Sequence, residues 1–325
     1  MQKRNYDRRI KITPDGKRTV VSFVLLVFFL IIMYLVQPSL MKPSRLITIT
    51  NGQLCLLLGG IGQTLVLLAG GIDLSIGGVI CLSNSIAALY MPDSIPGMIL
   101  MSLLIAALGV GIGMFNGVII TRFHVQPFVV TFTVNYVLLG IALKLLPIDG
   151  GEPPARYVSG LLHNFGIFSL SMILVILILA GWVFMRRTRF VRNIYAVGCN
   201  AKASALNGID VSKVKIMTFA LSGGLAALAG LWRTAQLASG SPDAGDALTM
   251  PSITISVIGG TSMAGGMGGV VGTVVGAYIL RLIQDLLTFL GAKSFWSTVF
   301  QGVFLVMTVG VCSVIDMKKG GKKNG

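Results

Sequence analysis

The stretch LLAGGIDLSIGGVICL, residues 67–82, sets two glycine pairs and one aspartate between apolar runs. Gly70 and Gly71 are suited to end one helix in left-handed geometry, and Asp73 and Ser75 are suited to cap the exposed N–H groups of the next helix. The pattern predicts a sharp turn between two apolar helices, and in a membrane every backbone polar group of such a turn needs a partner. Two kinds of role stay open for Asp73. It is a helix cap, or it lies on a transport route or at a moving joint, because an acid near a membrane is a functional candidate by default.

The composition of the whole chain is that of a membrane protein. Apolar residues make up 54% of the 325 positions, and the 41 glycines bring the total to roughly two-thirds, against about 45–50% in soluble domains. Charged residues make up only 11%, which is too little to cover the surface of a soluble protein. We therefore predict an all-α polytopic membrane protein whose environment is the lipid bilayer.

About ten membrane-spanning helices fit the apolar runs, since a span needs about 20 residues. An even number puts both termini on one side, and cytoplasmic termini place 19 of the 26 Lys and Arg residues on the inner side, as the positive-inside rule requires. Basic cytoplasmic tails at 1–18 and 317–325 then flank a transmembrane domain at 19–316. The predicted spans are 19–38, 50–69, 73–91, 97–120, 125–146, 166–185, 214–236, 250–264, 269–290 and 295–315.

The net charge of +15 comes from clusters that each abut an apolar run: seven Lys or Arg in the first 18 residues, seven between Arg186 and Lys215, and four between Lys318 and Lys323. This placement marks cytoplasmic segments and argues against a nucleic-acid partner, since no aromatic platform accompanies the clusters. The four cysteines are scattered, and the chain has two histidines and no paired carboxylates. We predict no metal site, no cofactor and no enzyme activity.

Small residues recur every four positions in the spans, at Gly109, Gly113 and Gly117 and again at Gly268, Gly272 and Gly276. This spacing predicts close helix packing. The longest outer connections, 147–165 and 237–249, are acidic and hold Asp149, Glu152, Asp243 and Asp246.

The polar loop 186–215 contains a predicted short helix from Ala201 to Leu206, bounded by Asn200 and by Asn207 and Gly208, which are residues that start and stop helices. From the pattern alone, a helix lying on the lipid surface and a helix that docks a partner are equally compatible with this segment.

Five stretches together resemble the permease subunits of bacterial sugar ABC importers, the ribose, xylose and galactoside permease family, which is related to the branched-chain amino-acid permeases. They are GGIDLSIGG (70–78), QPFVVTF (126–132), RTRFVRNIYAVGCNAKASALNGIDVSKVK (187–215), LSGGLAALAGL (221–231) and VIGGTSMAGGMGGVVGTVVGA (257–277). The resemblance covers about residues 50–312 and keeps the order of the motifs.

This resemblance implies a multi-pass permease of the bacterial cytoplasmic membrane. Two permease subunits, identical or different, would form the translocation pathway, with cytoplasmic ABC ATPase subunits below and an extracytoplasmic solute-binding protein above. The ATPases would supply the energy by pushing a coupling helix within residues 199–213. The matching coupling residues are Asn200, Ala201, Ala203, Leu206, Gly208, Ile209 and Lys213.

The chain departs from the family before Gly259, where relatives usually carry an acidic ELxAIA segment. Here the segment is TMPSIT, with Thr249 at the glutamate position and Pro251 in addition. The change puts the contact with the binding protein or the outer gate in doubt, and one explanation is a heterodimer whose second permease keeps the acid.

A hydroxylated solute needs weak hydrogen-bonding groups along its route. Each polar candidate could equally form an interhelical hydrogen bond, which is the commoner use of such residues. Phe128 and Phe132 are candidate gate residues, although aromatic residues at such positions are more often part of the core. The pathway candidates are Gln63, Asp73, Asn84, Asn116, Phe128, Thr131, Asn135 and Gln301.

Two other function classes stay open. An ion-gradient-driven secondary transporter would use Asp73 and Asp285 as coupling acids, although Arg281 and Asp285 stand four apart on one helix and favour a structural ion pair. A membrane scaffold would use the basic loop to recruit a soluble partner. Disruption of the 186–215 loop would stop solute uptake only in an ATP-driven importer.

Overall fold

The computed structural model describes residues 14–37, 42–166 and 168–291, with five single positions between 296 and 306. Residues 1–13 of the predicted N-terminal tail, the whole C-terminal tail and most of the predicted span 295–315 lie outside the described residues. Residues 14–18, predicted as tail, form the first turn of α1. Twelve α-helices and one short hairpin form the described part of the chain. They are α1 Pro14–Val36, α2 Pro43–Leu68, α3 Ile76–Tyr90, α4 Ile95–Phe123, α5 Pro127–Leu145, α6 Ala155–Leu161, β1 Asn164–Phe165, β2 Phe168–Ser169, α7 Leu170–Met185, α8 Arg189–Cys199, α9 Ala201–Leu206, α10 Val211–Leu237, α11 Thr249–Ile258 and α12 Val270–Phe289.

Six described helices, α1, α2, α4, α5, α10 and α12, are long and apolar enough to cross a membrane. α7 has 16 residues and passes the same test only together with α8, from which it is bent by 79°. The helices α3 and α11 are apolar but shorter. The all-α polytopic class is therefore confirmed. The predicted span 250–264 is wrong in its second half, because α11 ends at Ile258 and residues 259–269 form a glycine-rich loop.

The centre of the bundle is α10, which packs mainly against α4, α2 and α3. The predicted glycine repeat on α4 faces α10. A Cβ atom at Gly117 would lie 2.7 Å from the Cα of Ile216, and one at Gly109 would lie 2.5 Å from the Cβ of Ala227. The glycines therefore let the backbones of α4 and α10 approach closely. Such close packing holds transmembrane helices together, because no hydrophobic effect acts between them in lipid.

The short helix α3 runs parallel to α5, and two hydrogen bonds join them at the same sequence offset. Thr131 Oγ1 accepts from the N–H of Leu74 at 3.0 Å, and Asn135 Oδ1 accepts from the N–H of Gly78 at 2.6 Å. The start of α3 lies inside the bundle, because Ser75 Oγ accepts from Asn116 of α4 at 2.9 Å. Asn116 is seven residues from the end of α4, or about 10 Å along its axis.

Residues 238–248 do not form an outer connection, in contrast to the expectation from sequence. Gly240 packs against Ala88 near the far end of α3, whereas a Cβ atom at Gly77, in the first turn of α3, would lie 3.1 Å from the Cα of Asp246. Eleven residues of helix separate Ala88 from Gly77, or about 16 Å. The segment 238–248 therefore re-enters the bundle along α3, and α11 begins at its deep end.

Candidate coupling surface and translocation core

The polar loop after α7 begins with an amphipathic helix that sequence analysis missed. The axis bends by 79° between α7 and α8, and Thr188 Oγ1 caps α8 by accepting from the N–H of Val191. Val191, Ile194 and Val197 are buried, whereas Arg189 and Arg192 are exposed. The spacing of three between the apolar residues was the available sequence pattern for this helix.

The predicted short helix is confirmed as α9, with the predicted bounds Ala201–Leu206. Asn200 Oδ1 accepts from the N–H of Ala203 at 3.0 Å, and Gly208 has φ +80°, the left-handed geometry that ends the helix. The side chain of Leu206 is 90% exposed. The capped helix α9 therefore presents an apolar side chain that no part of the described chain covers.

The other predicted coupling residues fall into two groups. Ala203, Gly208 and Lys213 are exposed beside Leu206. Ala201 and Ile209 instead pack against the buried cluster that includes Val191 and Ile194 of α8, so that they hold α9 in place rather than protrude from it.

A junction of close backbone contacts ties α8 to the end of α2 and to the glycine-rich loop 259–269. Tyr195 donates to the carbonyl of Gly268 at 2.6 Å, and the N–H of Gly266 donates to the carbonyl of Leu68 at 3.0 Å. Gly198 lies where a Cβ atom would collide with the carbonyl of Leu68. The segment that carries α9 is therefore attached directly to the connection between α11 and α12.

Asp73 is fully buried, and its carboxylate accepts three hydrogen bonds. Oδ1 accepts from the N–H of Ser75 at 2.9 Å and from its hydroxyl at 2.6 Å, and Oδ2 accepts from Ser222 Oγ of α10 at 2.7 Å. Gly70 has φ +77° at the end of α2, as the opening pattern predicts. Asp73 thus closes the turn before α3 and ties this turn to α10.

Four further pathway candidates form hydrogen bonds between segments of the bundle. The side chains of Asn116, Thr131 and Asn135 form the bonds around the start of α3 that are given above. Asn84 donates to Thr234 Oγ1 at 2.9 Å and accepts from the N–H of Ser241 at 2.6 Å. Five of the candidates therefore hold the bundle together in this conformation, counting Asp73.

Three further candidates differ from these five. Gln63 is fully buried, and neither its amide nitrogen nor its amide oxygen has a hydrogen-bond partner. Phe128 is 50% exposed and stacks on Phe132, which contacts Tyr136 edge-on. Gln301 lies outside the described residues. The expected ion pair between Arg281 and Asp285 is confirmed, with Nε and Oδ1 3.1 Å apart.

The opposite end of the bundle, away from α9, carries exposed Asp149 and Glu152 beside the short helix α6. Tyr157 fixes α6 by donating to the carbonyl of Leu231 at 2.8 Å. Burial raises the pKa of Tyr157 above its usual range, so that its hydroxyl stays protonated as the donor.

A family model described as branched-chain amino acid transport system / permease component matches residues 46–309. The chain belongs to this permease family. It is 32% identical over 307 residues to the ribose import permease protein RbsC of Escherichia coli (strain K12), with 92% of this chain and 93% of the relative covered. It is 33% identical over 310 residues to RbsC of Bacillus subtilis (strain 168), with 91% and 92% covered.

A third permease relative is the galactose/methyl galactoside import permease protein MglC of Escherichia coli (strain K12), with 28% identity over 320 residues and 91% and 94% covered. No solved structure matches the chain. Membership of the permease family makes the protein a multi-pass transport component of the bacterial cytoplasmic membrane rather than a catalytic enzyme. The ion-gradient-driven alternative finds no support among these relatives.

Proposed function

We propose that this permease forms half of the translocation pathway of an ATP-driven ABC importer and carries a sugar or a similar hydroxylated solute. Its relatives are named as ribose and galactose import permeases over more than 90% of its length. The ATPases bind on the α9 face, a solute-binding protein binds on the opposite face, and a second permease subunit, identical or different, completes the pathway.

The exposed Leu206 at the end of α9 is the observation that carries the coupling role. A leucine that is 90% exposed costs free energy in water and loses this cost when a partner covers it. Exposed Arg186, Arg187, Arg189 and Arg192 precede it, and they favour an acidic partner surface by speeding encounter and fixing its orientation.

The junction at Gly198 and Gly268 explains how a push on α9 would reach the bundle. Because α8 contacts the loop 259–269 and the end of α2, displacement of α9 would move the connection between α11 and α12. A two-state switch of packed helices of this kind is the usual way in which a local contact becomes a change of access.

Copurification tests the coupling role. We expect Leu206→Glu to abolish recovery of the ATPase subunits with the solubilised permease and to abolish ATP-driven uptake, because it places a charge in an apolar contact. The matched control is Phe165→Glu, which makes a similar change at an exposed residue of the β1–β2 hairpin and should retain the ATPase. Equal recovery of ATPase with both variants would refute docking through α9.

The solute class is tested by uptake of radiolabelled D-ribose and D-galactose into cells that lack their own transporters and express the complete importer. We expect uptake of at least one sugar that depends on ATP and on the binding protein. Uptake that follows a proton or sodium gradient and ignores ATP depletion would contradict the proposal.

A further inference from the structure

Asp246 lies at the deep end of the re-entrant segment 238–248, although the sequence predicts an outer loop for this residue. Asp246 is exposed, although the first turn of α3 lies beside it and Gly240, only six residues earlier, is at the other end of α3. The irregular backbone of 239–245 leads into a 3-10 turn at Asp246–Leu248 and then into α11. Irregular backbone at membrane depth is tolerated only where protein buries it or where it lines a water-filled cavity. An exposed carboxylate at this depth therefore faces water rather than lipid.

Neighbouring side chains fix the position of this carboxylate. Asn135 of α5 accepts from Gly78 and donates to Asp246 Oδ1 at 3.2 Å. Cys81 Sγ accepts from the N–H of Gly245 at 3.2 Å and anchors the backbone just before it. Among the described residues Asp246 forms no ion pair, so that its charge is available to a passing solute.

One unpartnered polar group lies at the same junction of α2, α3 and α11, and a second lies one helical turn away on α2. The hydroxyl of Thr249 is in the first turn of α11, beside Gly77, is only 6% exposed and has no hydrogen-bond partner. Gln63 follows Gly59 by one turn of α2, and Gly59 faces Ile76 at the start of α3. Buried polar groups without partners are uncommon, and here they accompany the exposed acid.

An aromatic ladder, Phe128, Phe132 and Tyr136, adjoins Asn135 on α5. The rings are 5.7 and 4.9 Å apart, and all three side chains are exposed. Aromatic faces with a few convergent polar groups are typical of sites for small ligands.

We propose that Asp246, positioned by Asn135 and adjoined by the aromatic ladder, contacts the solute about halfway along the translocation route and accepts hydrogen bonds from its hydroxyl groups. The proposal deepens the proposed function and rests on it. A carboxylate at this point favours neutral polyhydroxylated solutes and disfavours anionic ones by repulsion.

Water access at position 246 is the first test. In the complete importer, a cysteine introduced as Asp246→Cys should react with a membrane-impermeant charged thiol reagent, above the level of the parent protein with its native cysteines. The matched control is Leu103→Cys, at an exposed apolar position of α4, which should not react because it faces lipid. Absence of labelling at position 246 with and without ATP would overturn the proposal.

Uptake is the second test, with whichever of radiolabelled D-ribose and D-galactose gives ATP-dependent uptake in the parent. We expect Asp246→Asn to lower the maximal uptake rate about tenfold, the scale of one hydrogen bond to a charged acceptor, while ATPase copurification is unchanged. The matched control is Asp243→Asn on the same segment, which should transport like the parent. Parental uptake by Asp246→Asn would refute the role of Asp246 and leave the importer function intact, whereas ATP-independent uptake by the parent would refute the importer function itself.

Discussion

Replacement of Asp73 separates a structural role from a role as a coupling acid. In Asp73→Asn the amide oxygen still accepts from Ser75, and the amide nitrogen donates to Ser222 Oγ, since a hydroxyl accepts as well as donates. The substitution then removes only the negative charge that strengthens these hydrogen bonds, and we expect it to lower the free energy of unfolding by about 1–2 kcal/mol. In Asp73→Ala all three acceptor contacts disappear and the N–H of Ser75 stays buried without a partner, so that we expect a loss of about 3–5 kcal/mol.

The assay for Asp73 combines reversible unfolding of the purified permease by SDS in mixed micelles with ATP-driven uptake by the complete importer. Asp73→Asn should keep most of the uptake, and Asp73→Ala should lose folded protein and uptake together. Ser222→Ala should cost less in the Asp73→Asn background than in the parent, because the two side chains share one contact. An Asp73→Asn protein that is as stable as the parent but transports nothing would refute this reasoning and make the charge itself essential.

Three further substitutions, one of them with a matched control, probe the packing of the bundle and the junction. Gly113→Val should abolish folded protein, measured by size-exclusion chromatography, because its Cβ would collide with the carbonyl of Phe219, whereas Gly111→Val, which has open space at its Cβ, should fold normally. Asn84→Leu removes the contacts to α10 and to residue 241 and should lower the SDS-unfolding free energy by about 2–4 kcal/mol. Tyr195→Phe removes the hydrogen bond to the glycine-rich loop, and we expect solute-stimulated ATP hydrolysis to fall while ATPase copurification persists.

The elements that sequence analysis predicted well are those with a local physical cause. The helices α4, α5 and α10 have 29, 19 and 27 residues, which is long enough to cross the hydrocarbon core of a bilayer. The residues that bound α9 start and stop helices by their own side-chain and backbone preferences. The glycine repeat on α4 also carries its own information, since small residues every four positions on a helix lie on one face and permit a close contact there.

Apart from α8, which a local apolar spacing could have predicted, the features that sequence analysis missed depend on contacts between distant segments. Hydropathy cannot distinguish an outer loop from the re-entrant segment 238–248, because the burial of that segment is decided by Asn84 and Cys81 on α3, more than 150 residues earlier. The end of α11 at Ile258 was likewise obscured, since Gly259 and Gly260 are compatible with both a packed helix and a loop until α12 packs against them.

The glycine-rich loop 259–269 links the ATPase contact at α9 to the proposed solute contact at Asp246. The loop 259–269 contacts α8 through Gly268 and the end of α2 through Gly266. The helix that precedes it, α11, has only ten residues, about 15 Å, and starts three residues after Asp246. We expect α11 to move as one body, because it is a single uninterrupted helix. A push on α9 would therefore shift the backbone that holds Asp246 against Asn135, and solute contact and ATPase contact would change in one movement.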